Sequence, residues 1–402
     1  MSENSPEFLN SAPVQKLFAL LDTEEVSMLR IVGGAVRNFL LGYQVKDIDF
    51  ATVWTPHQVM ERCKASGVRF VETGVDHGTV TIVLDGQGFE ITTLRKDVET
   101  DGRHAVVSFT TSWEEDARRR DFTMNALYMG RDGVVVDPLE QGRSDLDKRL
   151  VRFVGRASKR IEEDALRILR FYRFSLFYGQ EAIDAEGGEA CARHVALLSK
   201  LSKERVTSEL LNICSFECED HDAEKRLGGM ARVMNDNNVF LTIFESKSDV
   251  SILDNLIKNQ RKYSLENALA RLYCFASCDY ERLRSCLILS KKQLYFMEHL
   301  SQALTQKSMP VREMVYRYGA EVVQQALLFR PDILEEDIDC AKCWEAPEFP
   351  VSGKDLLKLG VQAGVEMGAI LKSVEQWWIE NDFQPTKDQC LLQVKPILLQ
   401  GA

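Results

Sequence analysis

The apolar pattern of this chain changes period near Arg160, and that change limits what it can fold into. Up to about residue 140, short strand-like runs alternate with helical ones. Leu29–Val32 is an apolar run ending in Gly33-Gly34, and Ala35–Leu41 reads as one or two helical turns closed by Gly42. Asp47–Val53 alternates carboxylate and apolar residues, as a half-buried strand does, and Pro56–Ala65 reads as an amphipathic helix after Thr55. Gly78–Leu84 and Phe89–Leu94 are β-rich runs split by Asp85-Gly-Gln-Gly88, a hairpin signal, and Val134–Val136 is a further short strand. Beyond Arg160 helical periodicity dominates: Glu162–Phe177, Ser202–Cys214, Ser264–Cys274, Glu281–Ile288 and Val365–Ile379 all predict helices. Two acidic, irregular stretches, Phe216–Lys225 and Pro331–Pro350, read as inter-domain connections. The expected class is α+β, an N-terminal α/β head with a mixed sheet followed by an all-helical remainder.

With 402 residues there is room for two or more domains. No run of about 18 apolar residues could span a membrane. The acidic start Met1-Ser-Glu-Asn-Ser-Pro-Glu resembles neither a secretory nor a transit signal, so the expected location is cytoplasmic. The ten cysteines accordingly read as reduced thiols, including the lone pair Cys340 and Cys343. The net charge of −11 argues against a protein that coats nucleic acid. A local basic face remains available, because Arg143–Arg173 holds ten Arg/Lys against five Asp/Glu. Lys258–Lys262 and Lys291-Lys292 are further basic clusters, although helix ends in solvent explain them better.

The strongest chemical signal is Lys46-Asp-Ile-Asp-Phe50. On a strand, Asp47 and Asp49 share one face roughly 6–7 Å apart. Neighbouring carboxylates repel unless a cation lies between them. Mg²⁺ suits such a pair, since it takes one or two carboxylates together with substrate phosphates. A bare Asp-x-Asp is more often a solvated strand face, but the upstream context favours the metal reading. Glycines at 33 and 34 let backbone N–H groups approach phosphate oxygens, and Arg37 lies one turn further on. Gly-Gly, twelve residues, then Asp-x-Asp is the pattern of polymerase-β-like nucleotidyltransferase palms. Glu90, in Phe89-Glu-Ile-Thr-Thr93, is the best candidate for a third acid, with a plain strand-edge acid as the alternative.

Two charged blocks could read the nucleotide. In Arg118-Arg-Arg-Asp-Phe-Thr-Met-Asn-Ala126, Asp121 and Asn125 fall one helical turn apart. Asp121 could accept from a ribose 2′-hydroxyl, or could be an N-cap paired with its neighbouring arginines. In Arg160–Phe174, Asp164, Arg167, Arg170 and Arg173 recur every three residues along one helix face. An intrahelical ion-pair ladder is one reading. Base reading is the other: Asp accepts from an exocyclic amine and Arg donates to a ring nitrogen, a pairing that suits cytosine and adenine and leaves guanine and uracil mismatched.

With these residues assembled, the chain resembles class II CCA-adding tRNA nucleotidyltransferases, in the bacterial poly(A) polymerase/CCA-enzyme family. The resemblance rests on Gly33-Gly-Ala-Val-Arg37, Asp47-Ile-Asp49, Gly78-Thr-Val80, Arg119-Arg-Asp-Phe-Thr-Met-Asn-Ala126, Asp137-Pro…Gly142…Asp145-Leu146, Glu163-Asp-Ala-Leu-Arg167 and Ser202-Lys-Glu-Arg-Val206. A weaker match is Gly353-Lys-Asp-Leu356 with Gly360, Gly364 and Gly368. It implies a palm head at 1–150, a neck carrying the template helix at 151–215, a body at 216–330 and a tRNA-binding tail at 331–402. Asp47 and Asp49 would bind Mg²⁺, and Gly34, Arg37 and Arg120 would contact triphosphate or ribose. Asp164 and Arg167 would select CTP and ATP, supported by Arg170 and Arg173. The implied reaction adds C, C and A to the 3′ end of tRNA, without a nucleic-acid template, and releases pyrophosphate.

Asn38 stands where the family usually has Asp. The family's flexible loop, implied to be needed for the final A, corresponds to Arg95–Arg103, and Arg95, Asp97, Asp101 and Arg103 are present. This favours full CCA addition over CC-only addition, with a CC-adding or A-adding partial enzyme as the alternative. The runner-up is a poly(A) polymerase of the same family, which usually carries basic extensions that this acidic chain lacks. An inactive RNA-binding module and a small-molecule nucleotidyltransferase suit the intact carboxylates and long helical half less well. No membrane and no obligate protein partner are implied.

Overall fold

The computed structural model describes residues 6–23, 26–97, 107–180, 183–217 and 223–400. The chain divides into two compact units: Met1–Phe216 with Arg232–Glu245, and Glu217–Ala231 with Ser246–Ala402.

The first unit is built on a seven-stranded mixed sheet. Its strands are β1 (Leu29–Val32), β2 (Asp49–Thr52), β3 (Arg69–Gly74), β4 (Thr79–Leu84), β5 (Gln87–Thr93), and, after a separate two-stranded ribbon of β6 (Arg95–Asp97) and β7 (Val107–Phe109), β8 (Tyr128–Met129) and β9 (Val135–Val136). The order is β3-β4-β5-β2-β1-β8-β9, and β2 with β5 is its parallel pair. The expected hairpin is present with a two-residue turn: Asp85 and Gly86 both have positive φ (51° and 82°), and Leu84 pairs with Gln87. The exposed edge strand β3 had no clear alternating signal, because its side chains face solvent on both sides.

Helices α1 (Ala12–Leu21), α2 (Gly34–Leu40) and α3 (Pro56–Ala65) accompany the sheet. Thr55 and Gln58 form a capping box that starts α3 where Pro56 predicts. Phe18, Phe50 and Phe89 pack edge to face at 5.8 and 6.1 Å and fill the buried side of β2 and β5. The opposite side of these strands carries exposed Asp49 and Glu90, while Ala51 beside Asp49 is buried.

Further helices of this unit include α4 (Trp113–Arg118), α5 (Gly142–Asp147), α6 (Ala157–Glu163), α7 (Leu166–Tyr178) and α8 (Ala185–His194), with α9 (Lys203–Cys214) beside α7. The single helix expected over Glu162–Phe177 is two helices. Asp164 is extended (φ −153°, ψ 103°) between α6 and α7, and its carboxylate accepts from the Leu166 N–H at 3.1 Å. A side chain that captures a nearby backbone donor offers an alternative to the helical ladder, and periodicity alone does not register it.

In the second unit every regular element described is helical. Val365–Glu380 matches its expected range, whereas Ser264–Cys274 starts later, at Ala268, with Asn267 as its cap. The stretch Pro331–Pro350 is not irregular throughout, since Glu335–Cys343 is a helix that buries Ile338 and Ala341. Leu356, Ile370, Val374 and Trp378 form the core of the C-terminal helices.

One glycine has a strict steric role. A Cβ on Gly142 would lie 2.4 Å from the Thr123 carbonyl oxygen and 3.0 Å from Leu127 Cδ2. The close approach lets buried Asp145 accept from Thr123 Oγ1 at 2.7 Å, which ties α5 to the turn Thr123–Asn125. Gly142→Ala is therefore expected to destabilise the first unit by roughly 1–3 kcal/mol; a thermal melt unchanged from wild type would remove this steric account.

Candidate active site

Parallel pairing of β2 with β5 sets Phe50 opposite Ile91, both buried. Because side chains alternate, Asp49 and Glu90 emerge together on the other face. Asp47 precedes the strand rather than belonging to it, so the expected two-acid strand pair is one strand acid and one acid on its approach. The third acid expected at Glu90 is adjacent. Among the described residues none of the three forms a hydrogen bond or salt bridge through its carboxylate. Their electrostatic coupling is visible at Asp49: partial desolvation, Glu90 and Asp47 push its carboxyl above the ordinary range, and Arg120 pulls it back. Among the described residues no group of three His, Cys, Asp or Glu is gathered tightly enough to hold an ion by itself. An uncompensated pair of acids still fits Mg²⁺, which draws its remaining ligands from water and phosphate.

Gly33 (φ 68°) makes the turn from β1 into α2. Arg37, buried on α2, donates from Nη1 to Asn125 Oδ1 at 2.7 Å, from Nε and Nη2 to Asn38 Oδ1 at 3.1 and 2.9 Å, and from Nη2 to Tyr178 Oη at 2.8 Å. Its guanidinium also lies 4.0 Å from the Tyr178 ring centroid. Burial lowers its pKa, while Tyr178 and Asp121 raise it. Most of Arg37's donors are thus engaged within the protein, which makes it a brace for the Gly-Gly turn. Asn38 is an acceptor for that brace.

Asp121 is also internally saturated. Its Oδ1 accepts from the Phe122 N–H (2.8 Å) and Asn125 Nδ2 (3.0 Å), and its Oδ2 accepts from Arg170 Nε (2.9 Å) and Nη2. Burial raises the Asp121 carboxyl, but Arg170 and these hydrogen bonds outweigh it and hold it below the ordinary range. The expected pairing with its neighbouring arginines is replaced by one with Arg170, because Arg119 and Arg120 turn toward Asp116 and Arg118 toward Glu114.

The ladder expected along one helix is distributed over several elements. Asp164 pairs with Arg205 of α9 at 2.8 Å, and Arg167 pairs with Glu163 at 2.8 Å. Arg167 Nη2 also donates to the Arg119 carbonyl at 3.1 Å. Arg173 pairs with buried Glu209 of α9 at 2.6 Å, and Arg170 lies 3.7 Å from the same carboxylate. Asp164 and Arg167 do not bond to each other through their side chains; both keep partial exposure. The residues that the sequence reading passed over are the partners: Asp116, Glu163, Arg205 and Glu209. Asp116 and Glu163 pair at the i,i+3 and i,i+4 spacings of a helix, a signal the sequence carried, whereas Arg205 and Glu209 pair across elements and leave no spacing signal. Of the loop residues, Arg95 donates from Nη1 to the His77 carbonyl at 2.8 Å; Asp101 and Arg103 lie outside the described residues.

Residues 29–152 match the family described as Poly A polymerase head domain. The mouse protein named CCA tRNA nucleotidyltransferase 1, mitochondrial, is 34% identical over 98% of this chain and 93% of its own length. A CCA-adding enzyme of Streptococcus agalactiae is 32% identical over 86% of the chain and 87% of its own length. The chain belongs to the CCA tRNA nucleotidyltransferase family. The fold agrees: a crystal structure of the Bacillus stearothermophilus CCA-adding enzyme in complex with CTP has a TM-score of 0.72 at 24% identity, covering 97% of this chain and 98% of that one. Nucleotidyltransferases of this family generally need a divalent metal. Among the described residues no helix is long and apolar enough to cross a membrane.

For a CCA nucleotidyltransferase with Asn at position 38, the geometry has a direct consequence. Asn38→Asp would turn two bonds from Arg37 to a neutral acceptor into an ion pair. The expected gain is about 1 kcal/mol in stability, with CTP and ATP incorporation retained; a lowered melting temperature would contradict the bracing role of Asn38.

Proposed function

We propose that this family member adds C, C and A to the 3′ end of tRNA from CTP and ATP, with Asp47 and Asp49 as Mg²⁺ ligands and Glu90 as the supporting third acid. The observation that carries the reading is the pair Asp49 and Glu90 on neighbouring strands β2 and β5, with Asp47 on the approach to β2 and, among the described residues, no ion pair to any of the three, beside Gly33 and Arg120. Buried or crowded charge of one sign is costly unless a counter-ion completes it. Mg²⁺ would there activate the attacking hydroxyl and neutralise the charge on the phosphates. The reaction is attack of the RNA 3′-hydroxyl oxygen on the α-phosphorus, with loss of its proton and departure of pyrophosphate.

Gly34 and Arg120 border the place for the triphosphate. Arg37, Asp121 and Asn125 form the braced wall beneath it. Asp164 and Arg167 would exchange their pairs with Arg205 and Glu163 for the base edge, the carboxylate accepting the exocyclic amine and the guanidinium donating to the ring nitrogen. Arg170 and Arg173, tied to Asp121 and Glu209, hold that helix in place. The head, neck, body and tail division at 1–150, 151–215, 216–330 and 331–402 belongs to the same reading, with tRNA contacts in the tail. A cytoplasmic location is likewise proposed; the described cysteines are all free, as in a reducing compartment.

Purified protein with CTP, ATP and tRNA lacking its CCA end should add three nucleotides in the presence of Mg²⁺, and Asp49→Ala should lose activity by at least about a hundredfold. Long A tails on arbitrary RNA, or full incorporation by Asp49→Ala, would overturn the substrate or the catalytic assignment respectively. Arg167→Ala should relax discrimination against UTP and GTP by roughly tenfold or more while changing total triphosphate affinity less; unaltered selectivity would remove its template role.

A further inference from the structure

The Asp116 carboxylate, on α4, is 1% exposed and holds two guanidinium groups. Oδ1 accepts from Arg119 Nε and Nη2 at 2.8 and 2.6 Å, and Oδ2 from Arg120 Nε and Nη2 at 3.2 and 2.9 Å. The Tyr128 hydroxyl donates to Oδ2 at 2.8 Å and accepts from Arg120 Nε at 3.1 Å. The Arg95 N–H approaches Oδ1 at 3.3 Å. Burial works against the Asp116 charge, but Arg120, Arg119 and Tyr128 outweigh it and hold the carboxyl below the ordinary range.

This arrangement engages one edge of Arg120 and leaves the other. Among the described residues Arg120 Nη1 has no hydrogen-bond partner. It lies 3.7 Å from where a Cβ on Gly33 would stand, and the Arg120 charge acts on Asp49. A guanidinium is planar, so anchoring Nε and Nη2 in a carboxylate also fixes the direction of Nη1. Tyr128 is itself held, packing edge to face on Trp113 with ring centroids 5.2 Å apart.

We propose that Asp116 is a positioning residue for nucleotidyl transfer: with Tyr128 it locks Arg120 so that Nη1 faces the phosphates of the incoming nucleotide between the Gly33 turn and Asp49. This rests on the function proposed above. Because the contact is to phosphate, the effect is common to CTP and ATP. Two positive guanidinium groups on one buried carboxylate leave a net positive charge, which suits a phosphate ligand.

The test is steady-state incorporation into tRNA lacking CCA, with direct CTP binding by calorimetry. Asp116→Asn keeps the volume and removes the charge. It should raise KM for both CTP and ATP about fivefold to tenfold with kcat changed less than about twofold, and weaken CTP binding to match. In an Arg120→Lys background the same substitution should add little, because coupled residues are not additive. A merely structural role would lower the melting temperature and the active fraction without moving KM. An unchanged KM for both nucleotides, a shift for one base only, or full additivity with Arg120→Lys overturns the proposal. If Asp116→Asn does not fold, Tyr128→Phe decides: a rise in both KM values supports the lock and unchanged values overturn it. Wild-type protein that adds neither C nor A would overturn the function reading itself, whereas an active wild type with an unresponsive Asp116→Asn overturns only this inference.

Discussion

The parallel register between β2 and β5 is the constraint on which the site depends. With Phe50 and Ile91 buried side by side, their neighbours Asp49 and Glu90 must face solvent together. The apolar side of these strands, filled by Phe18, Phe50 and Phe89, stabilises an arrangement that electrostatics alone would oppose. Crowded acids and a packed aromatic layer are thus two faces of one register. A one-residue slip would bury Asp49 and expose Phe50.

Around that sheet, the unit gathers its arginines onto a few acids. Asp116 takes Arg119 and Arg120, Asp121 takes Arg170, Glu209 takes Arg173 and lies close to Arg170, and Glu163 takes Arg167. Burying any one of these charges unpaired would be costly, and pairs of this kind contribute geometry more surely than net stability. The pairs of Arg170 with Asp121 and of Arg173 with Glu209 join distant elements, tying α7 to the Asp121 turn and to α9, whereas those of Asp116 and Glu163 are local. Arginine suits this role because its fixed fork transmits direction as well as charge.

The sequence was most informative where a residue's role depends on its immediate neighbours. The Gly33-Gly34 turn, the Thr55 start of α3, the Asp85-Gly86 hairpin and the strand at Phe50 follow from local backbone preference and from period. Spacing is silent where a residue's role depends on a distant partner. Asp164 reads as helical by spacing, yet its carboxylate captures the Leu166 N–H and Arg205, and the helix breaks there. Asp121 sits among arginines in the sequence but pairs with one forty-nine residues away. Edge strand β3 carried no burial pattern because neither of its faces is well covered.

By itself the sequence determined the chemistry on offer: the glycine turn, the acids at 47, 49 and 90, the arginine-rich helix, and the family those stretches resemble. Local propensity and short-range spacing carry such information, because they need no partner. Only the tertiary structure decided which acids remain uncompensated and which arginines remain available. Among the described residues Asp49 and Glu90 form no ion pair, while Arg37, Arg170 and Arg173 are engaged by internal acceptors and Arg120 Nη1 has no hydrogen-bond partner. That division depends on which side chains meet across the sheet and helices, and the energy of a charge is set by what surrounds it.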